Sequence, residues 1–215
     1  MKSISIMSGV LSSDSGAPLF SDAFPELVNP DNRKFVDYFK GGTGGGIAGR
    51  ILPGTDKVWA GNYVNVHDGY AQGGASATDL ISGRAVVNIG EEAVNGEWGV
   101  CVNVANLTDN VAGGLVFRDS TESGGIGFAA TISPVSQLVA LRRRNGSSYT
   151  TLLTVPAVIP VGNFNLRVVA SGSSIKVFTD KGLVINHTTT DLGAGFYRAG
   201  IICYGSLKVT DFMGG

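Results

Sequence analysis

Residues 113–212 decide the fold, because they hold one short apolar segment after another: GGLVFR (113–118), GIGFAA (125–130), LVALR (138–142), YTTLL (149–153), FNLRVVA (164–170), SIKVF (174–178) and YRAGII (197–202). Each segment has the length of a β-strand, and turn residues lie between the segments. Upstream, the stretch 98–104 alternates valine with small residues, and a period of two indicates a strand with one buried face. Asn145-Gly146 predicts a tight hairpin turn. The sequence therefore predicts an all-β, two-sheet antiparallel sandwich.

The composition is that of a globular domain with little charge. A chain of 215 residues is long enough for one large sandwich and needs neither metal nor disulfide to fold. Only 15% of the residues are charged and the net charge is −1, so we expect no nucleic-acid partner. Serines interrupt the apolar positions of residues 1–9, which predicts no signal peptide, and no membrane span is predicted. The chain is therefore expected to be made in a cytoplasm.

The chain divides into three regions. Residues 1–20 are rich in serine and glycine and predict a flexible or docking N-terminal arm. Residues 21–54 form a partly irregular, glycine-rich lead-in, and the sequence leaves open whether this region joins the sandwich. Within it, residues 35–39 form either a short strand or one helical turn. Residues 55–215 are expected to form the sandwich itself.

Two groups of residues could have a chemical role, but a structural role explains each of them more simply. Cys101 and Cys203 match no zinc or redox spacing, so we interpret both as reduced thiols carried on strands. Three consecutive arginines precede the hairpin turn at positions 142–144. Charged residues at a strand end are usually solvated and protect a sheet edge from further pairing. We therefore favour a solvated edge over an anion site for these arginines.

The order of the segments resembles the concanavalin A-like lectin/glucanase superfamily, also called laminin-G-like. The resemblance covers roughly residues 55–213 and rests on Trp59 in a strand, the turn DGYA (68–71), the strand 98–104 and the later segments 114–118, 127–132, 137–143, 163–172, 174–178, 200–202 and 209–212. It implies a jelly roll of two curved sheets, one of them concave and often the site of a carbohydrate. Members of this superfamily bind sugars, hydrolyse glycans or serve as modules of bacteriophage virions.

Glycan hydrolysis needs two carboxylates that face one groove. Enzymes of the superfamily often carry these carboxylates in a Glu-x-Asp-x-x-Glu motif, which is absent here. Glu91 and Glu92 are adjacent and precede a turn, and Glu97 has no acidic partner at the next position on its face. His67 and His187 lack partners at ligand spacing. The chain is therefore not expected to be an enzyme, and glycoside hydrolysis is the least favoured of its functions.

Sugar binding usually needs an aromatic platform and a few fixed polar groups. The competing interpretation is that large aromatic side chains of a sandwich lie in its core, as expected for Trp98. The candidates for a carbohydrate site are Trp59, Tyr63, Tyr70, Arg118 and Tyr149.

The resemblance also implies that a calcium ion braces the edge where the first and last strands meet. The candidate ligands are Asp22 in the first strand and Asp211 in the last, although two exposed carboxylates at strand ends are the simpler interpretation. A structural calcium ion is therefore compatible with the sequence, and no other cofactor is expected.

These features predict a non-enzymatic virion structural protein, a bacteriophage capsid decoration (cement) or tail-associated subunit on a lectin-like jelly roll. Its expected partners are other capsid or tail proteins and further copies of the chain, with the arm of residues 1–20 as the docking element. The alternative is a glycan-binding module for host or cell-surface recognition. The two hypotheses are compatible, because a virion decoration can also bind a glycan.

Overall fold

The computed structural model describes residues 35–61, 63–90, 94–108, 111–120, 125–191 and 195–214. These residues form short and medium strands in chain order: β1 (Phe35–Asp37), β2 (Thr43–Gly46), β3 (Trp59–Gly61), β4 (Val64–His67), β5 (Tyr70–Gly73), β6 (Arg84–Asn88), β7 (Gly96–Val104), β8 (Ala112–Asp119), β9 (Ile126–Ser133), β10 (Leu138–Asn145), β11 (Ser148–Pro156), β12 (Gly162–Ser171), β13 (Ser174–Thr179), β14 (Gly182–Thr188), β15 (Arg198–Tyr204) and β16 (Lys208–Gly214). Within this part of the chain, no helix is long and apolar enough to cross a membrane.

The strands form two antiparallel sheets. Sheet I has the order β14-β13-β12-β7-β16-β5-β4-β2, with β1 also paired to β16. Sheet II has the order β11-β10-β9-β8-β15-β6-β3. The chain passes repeatedly from one sheet to the other, so that β7 lies in sheet I and β8 in sheet II, as in a jelly roll. The predicted all-β, two-sheet antiparallel jelly-roll sandwich is confirmed.

The core lies between the two sheets, where their inner faces meet. Trp98 and the valines in phase with it on β7 are buried there, as the alternation predicts. The rings of Trp98 and Phe117 lie 6.1 Å apart between centroids, which joins β7 to β8 across the sandwich. Cys101 and Cys203 are buried free thiols, as predicted. Burial raises the pKa of the Cys101 thiol to about 11, so this thiol is protonated at neutral pH.

The part of the lead-in that the structure describes joins sheet I. Residues 35–37 form β1, so the strand rather than the helical turn is found at this point, and β1 pairs with β16. The glycine-rich β2 pairs with β4 at the edge of the same sheet. The hairpin at Asn145-Gly146 is also present, with Asn145 opposite Ser148 and Gly146 at a φ of 61°. The arm of residues 1–20 lies outside the described residues.

Candidate functional site

The outer face of sheet II, which points away from the core, carries the polar side chains of greatest interest. Ala85 and Val87 of β6 pack into the core, so the side chains between and beside them point outward. The same alternation applies to β10 and β15, whose inner residues are Leu141 and Ile201. The charged side chains that this arrangement brings to the outer face are Arg84, Arg142, Arg144 and Arg198.

A fully buried carboxylate at the end of β8 holds three of these arginines together. Asp119 Oδ2 accepts a hydrogen bond from Arg84 Nη1 at 2.6 Å and forms an ion pair with Arg198 Nη2 at 2.8 Å. Asp119 Oδ1 accepts one from Arg144 Nε at 2.6 Å. Arg144 and Arg198 also donate to the Ser120 carbonyl oxygen. We call these four charged residues the Asp119 cluster; charge-assisted bonds of this kind are strong and fix the guanidinium groups in place.

A glycine on the neighbouring strand makes room for the carboxylate. Gly127 of β9 lies beside Asp119, and a Cβ atom at this position would lie 2.5 Å from Asp119 Oδ1. Any larger residue would therefore push the carboxylate out of its place. The four residues of the cluster come from β6, β8, β10 and β15, so the cluster also connects four of the seven strands of sheet II.

Tyr149 of β11 lies next to the cluster, opposite Arg144 in the strand register. Its ring packs on an apolar patch of the outer face formed by Val86, Val116, Ala129 and Ile202. Its hydroxyl group is shielded from solvent and meets no hydrogen-bond partner in the described part of the chain. Burial therefore raises the pKa of this hydroxyl, which stays protonated and available as a donor.

A groove of about 380 Å³ opens beside the cluster. Its lining comprises Ala60, Gly61, Tyr63, Asp79, Ile81, Ser82, Arg84, Val86 and Arg198. Arg84 and Arg198 thus belong to both the groove and the Asp119 cluster, and about a fifth of each side chain is exposed. The volume falls within the range of small-molecule sites, about 300–1,000 Å³.

The groove lining also includes an aromatic ring and a carboxylate. Tyr63 is 44% exposed, so its ring is open to solvent. Asp79 Oδ1 accepts hydrogen bonds from the Ser82 backbone amide at 2.7 Å, the Ser82 hydroxyl at 2.8 Å and the Ile81 amide at 2.9 Å. These bonds, led by that from the Ser82 backbone, lower the pKa of Asp79 and keep it ionised. The groove therefore combines a flat apolar surface with fixed donors and acceptors.

The structure brings two of the five sequence candidates to this face, Tyr63 in the groove and Tyr149 beside the cluster. Trp59 lies in the core at 1% exposure, and its Nε1 donates to Asp37 Oδ2 at 3.0 Å. Tyr70 lies on sheet I, where its ring stacks on His67 with centroids 4.7 Å apart. Neither ring adds to the groove.

Arg118, the remaining candidate, is fully buried and works as a structural anchor. Its Nε donates to the Val94 carbonyl oxygen at 2.6 Å, and its Nη2 donates to the Gly172 carbonyl oxygen at 2.7 Å. Its backbone φ of 46° turns the side chain away from the alternation of β8. Arg118 therefore joins the residues before β7 to the turn after β12, and it is not among the residues that line the groove.

The interpretation of residues 142–144 as a solvated edge is wrong for Arg144, which is only 4% exposed and paired with Asp119. These arginines lie on β10, which is not an edge strand, because β11 pairs with it and forms the edge of sheet II. Arg142 is half-buried and donates to the hydroxyls of Thr131 and Thr151. Each of these arginines has a partner within the fold, so edge protection does not explain them.

The acidic residues considered for metal binding or hydrolysis lie elsewhere. Asp211 Oδ2 accepts a hydrogen bond from the Thr210 hydroxyl at 2.9 Å, and burial raises the pKa of this carboxyl. Asp22, Glu91 and Glu92 lie outside the described residues. Glu97 is paired with Arg167 on sheet I. Among the residues that the structure describes, no three His, Cys, Asp or Glu side chains group to hold a metal ion, so the calcium site stays a prediction.

Sequence reasoning missed Asp79, Arg84, Asp119 and Arg198. A faint signal is present for two of them, because Arg84 and Arg198 each stand directly before a short apolar strand segment, AVV and AGII. In a sandwich with one buried face, a charged residue in phase with outward apolar residues marks a surface worth examining. Their common partner Asp119 gives no such signal.

No family model matches the chain, and no curated protein shows significant similarity to its sequence. The GH43 protein BlXynB from Bacillus licheniformis aligns with a TM-score of 0.58 and 14% identity, over 84% of this chain and 39% of that chain. The exoplasmic/lumenal domain of VIP36, in its Ca²⁺- and Man-bound form, aligns with a TM-score of 0.52 and 13% identity, over 84% and 88% of the two chains.

A third solved structure, the CBM2 module of the evolved Dit of Lactobacillus casei BL23 phage J-1, aligns more loosely, with a TM-score of 0.45 and 16% identity over 85% of this chain and 94% of that chain. At such identities the similarities concern the fold alone. The chain has the concanavalin A-like, lectin-type jelly-roll fold that the sequence resemblance predicts.

Proposed function

We propose that the chain is a glycan-binding module and that the groove on sheet II is its saccharide site. The observation that carries this proposal is the meeting of an exposed tyrosine ring with two immobilised guanidinium groups in one groove. Sugars present apolar C–H faces that stack on aromatic rings, and hydroxyls that need fixed donors and acceptors. Tyr63, Arg84 and Arg198 supply these elements, and Asp79 adds an acceptor.

The Asp119 cluster prepares the site before a ligand arrives. Arginine side chains are flexible, and ordering one on binding costs about 0.5–1.5 kcal/mol of affinity. Arg84 and Arg198 are already ordered, because both form ion pairs with the same buried carboxylate oxygen. The site is therefore preorganised, which favours measurable affinity for a small polar ligand.

Replacing Tyr63 with alanine is expected to weaken glycan binding roughly tenfold, since an aromatic side chain that contacts the ligand in a small site is worth on the order of 1–2 kcal/mol. A glycan array would identify ligands of the wild-type chain, and isothermal titration calorimetry would then compare the variants. Tyr70→Ala is the matched control, because this tyrosine lies on sheet I beneath Lys208. Loss of binding in Tyr70→Ala but not in Tyr63→Ala would move the site to the other sheet.

A more specific proposal is that the module works as a virion structural subunit. It rests on the serine- and glycine-rich arm of residues 1–20 and on the low charge of the chain. One surface feature supports a protein partner: Val135, Val158 and Val161 are exposed at 47%, 79% and 61%. Their two loops touch, because Gln137 Nε2 donates to the Ile159 carbonyl oxygen at 3.1 Å. Exposed apolar side chains on neighbouring loops favour association.

Deleting residues 1–20 is expected to convert a symmetric oligomer into a monomer if the arm is the docking element. Light scattering on the purified protein would give the mass of the intact and the shortened chain. A monomeric intact chain, or an oligomer that survives the deletion, would contradict the role proposed for the arm. Glycan affinity of the shortened chain is the control, because the groove lies within residues 60–198 and should bind as before.

A further inference from the structure

We infer that the saccharide bound in the groove carries an oxyanion, a carboxylate or a sulfate or phosphate ester, which binds to Arg84 and Arg198. The inference rests on the proposed function and specifies the chemical class of its ligand. It follows from three observations: donors of the two arginines that no described residue uses, an excess of positive charge around them, and the position of Asp79 in the groove.

Both arginines have donors that no described residue uses. Arg84 binds Asp119 through Nη1 only, which leaves its Nε and Nη2 without a partner in the described ranges. Nη2 of Arg198 contacts Asp119 and donates to the Ser120 carbonyl oxygen, whereas Nη1 has no described partner. The Nε of Arg198 is shielded from solvent and is also unpaired among the described residues. The Nε and Nη2 atoms of Arg84 are therefore suited to bidentate oxyanion binding, and Nη1 of Arg198 can add a further donor.

The charge around the groove is positive although the chain as a whole is not. The groove and the outer face beside it hold four arginines, at 84, 142, 144 and 198, and two aspartates, at 79 and 119, a formal excess of +2 among the described residues. The net charge of the whole chain is −1. Burial lowers the pKa of the Arg198 guanidinium, because one shared carboxylate compensates its lost hydration only in part. An incoming oxyanion would supply the missing counter-charge.

Asp79 is the one carboxylate among the described residues that line the groove. Its Oδ1 atom is saturated by the Ile81 and Ser82 donors, and its Oδ2 atom has no described partner. A carboxylate with a free oxygen accepts a sugar hydroxyl and repels an anion. An anionic substituent is therefore attracted to Arg84 and Arg198, whereas a neutral hydroxyl can donate to Asp79.

Matched pairs of glycans that differ only in charge would test the inference on the wild-type chain. Oligogalacturonate would be compared with its methyl ester, sialyllactose with lactose, and sulfated and phosphorylated saccharides with their desulfated and dephosphorylated forms. Calorimetry should give at least a roughly tenfold tighter dissociation constant for the anionic member of one pair, the size expected for one charge-assisted contact. The affinity for this member should fall between about 0.05 and 0.5 M salt, because a partly exposed ion pair is screened.

Variants would show which residues produce the preference for the anionic member of a pair. Arg84→Gln and Arg198→Gln should each remove most of the preference for the anionic member, and Arg84→Lys should retain part of it because the charge remains. Lys176→Gln is the matched control: it removes one positive charge at an exposed position on sheet I and should leave the preference unchanged. Thermal unfolding would show whether each variant is folded, and the glycan pairs and the salt series need no variant at all.

The possible results distinguish failure of the oxyanion inference from failure of the proposed glycan-binding function. Equal affinity for the members of every pair, with no effect of salt, would overturn the inference and leave the glycan-binding module standing. Preference for the carboxylates alone, or for the sulfate or phosphate esters alone, would support it and identify the oxyanion. No binding to any member of any pair or to the array would overturn the proposed function and the inference together.

Discussion

Asp119→Ala is expected to lower the free energy of unfolding by about 3–5 kcal/mol, the usual cost of removing one partner of a buried ion pair. Asp119 is completely buried and is the only described carboxylate that contacts Arg84, Arg144 and Arg198. Its removal would leave three guanidinium groups close together without a counter-ion. They would repel one another, and Arg144, at 4% exposure, would lose its buried counter-charge with little access to water.

Urea denaturation followed by circular dichroism would measure this loss. In a chain of this size, 3–5 kcal/mol corresponds to a melting temperature lower by about 6–20 °C. Asp191→Ala is the matched control, because Asp191 also pairs with an arginine of β10, Arg143, but both side chains are more than a quarter exposed. The control should lose less than about 1 kcal/mol. Equal losses in the two variants would show that the Asp119 cluster does not stabilise the fold as described.

The fold could be predicted because its signal is local and repeated. On β7 the alternation of Trp98, Val100, Val102 and Val104 with smaller residues predicts the strand and its buried face. The structure places these four side chains in the core. The hairpin at Asn145-Gly146 is equally local. Such signals need only the pleat of a strand and the chemistry of a turn, which adjacent residues determine.

The site could not be predicted in the same way, because the order of strands within the sheet creates it. Arg84 and Asp119 are 35 residues apart, and Arg144 and Asp119 are 25 apart. No local pattern indicates that β6 and β8 both pair with β15. This pairing brings Arg84 and Arg198 to the same carboxylate. Cluster residues therefore look like ordinary strand-end charges until the topology is known.

The aromatic candidates differ in whether they are buried or exposed, and the local sequence does not determine this difference. Trp59 and Tyr63 lie four residues apart and are both large aromatic residues near short apolar stretches. Trp59 pairs with Val87 in the register of β3 and β6 and so points into the core. Tyr63 lies between β3 and β4, outside this alternation, and its ring remains 44% exposed. A shift of one residue in the register would exchange core and surface on β3.

Asp37→Asn is expected to lower the free energy of unfolding by roughly 3 kcal/mol or more, although the two side chains have nearly the same shape. The buried Asp37 carboxylate only accepts hydrogen bonds. Its Oδ1 receives the Phe39 amide at 2.7 Å and Arg50 Nη2 at 3.0 Å. Its Oδ2 receives Trp59 Nε1 at 3.0 Å and Arg50 Nε at 3.1 Å. An asparagine replaces one acceptor with an NH₂ donor that faces other donors, and it leaves the Arg50 charge unpaired.

The same substitution tests whether β1 is an integral part of the sandwich. Asp37 lies opposite Phe212 in the pairing of β1 with β16, and the Trp59 and Phe212 rings meet at 5.2 Å between centroids. Loss of the carboxylate should therefore loosen β1 and expose the Trp59 indole, which a red shift of tryptophan fluorescence would report along the denaturation curve. Asp56→Asn makes the same chemical change on a side chain that is 93% exposed and should leave stability and fluorescence unchanged. A wild-type denaturation midpoint in Asp37→Asn would mean that β1 contributes little to the fold and that Trp59 is held by apolar packing alone.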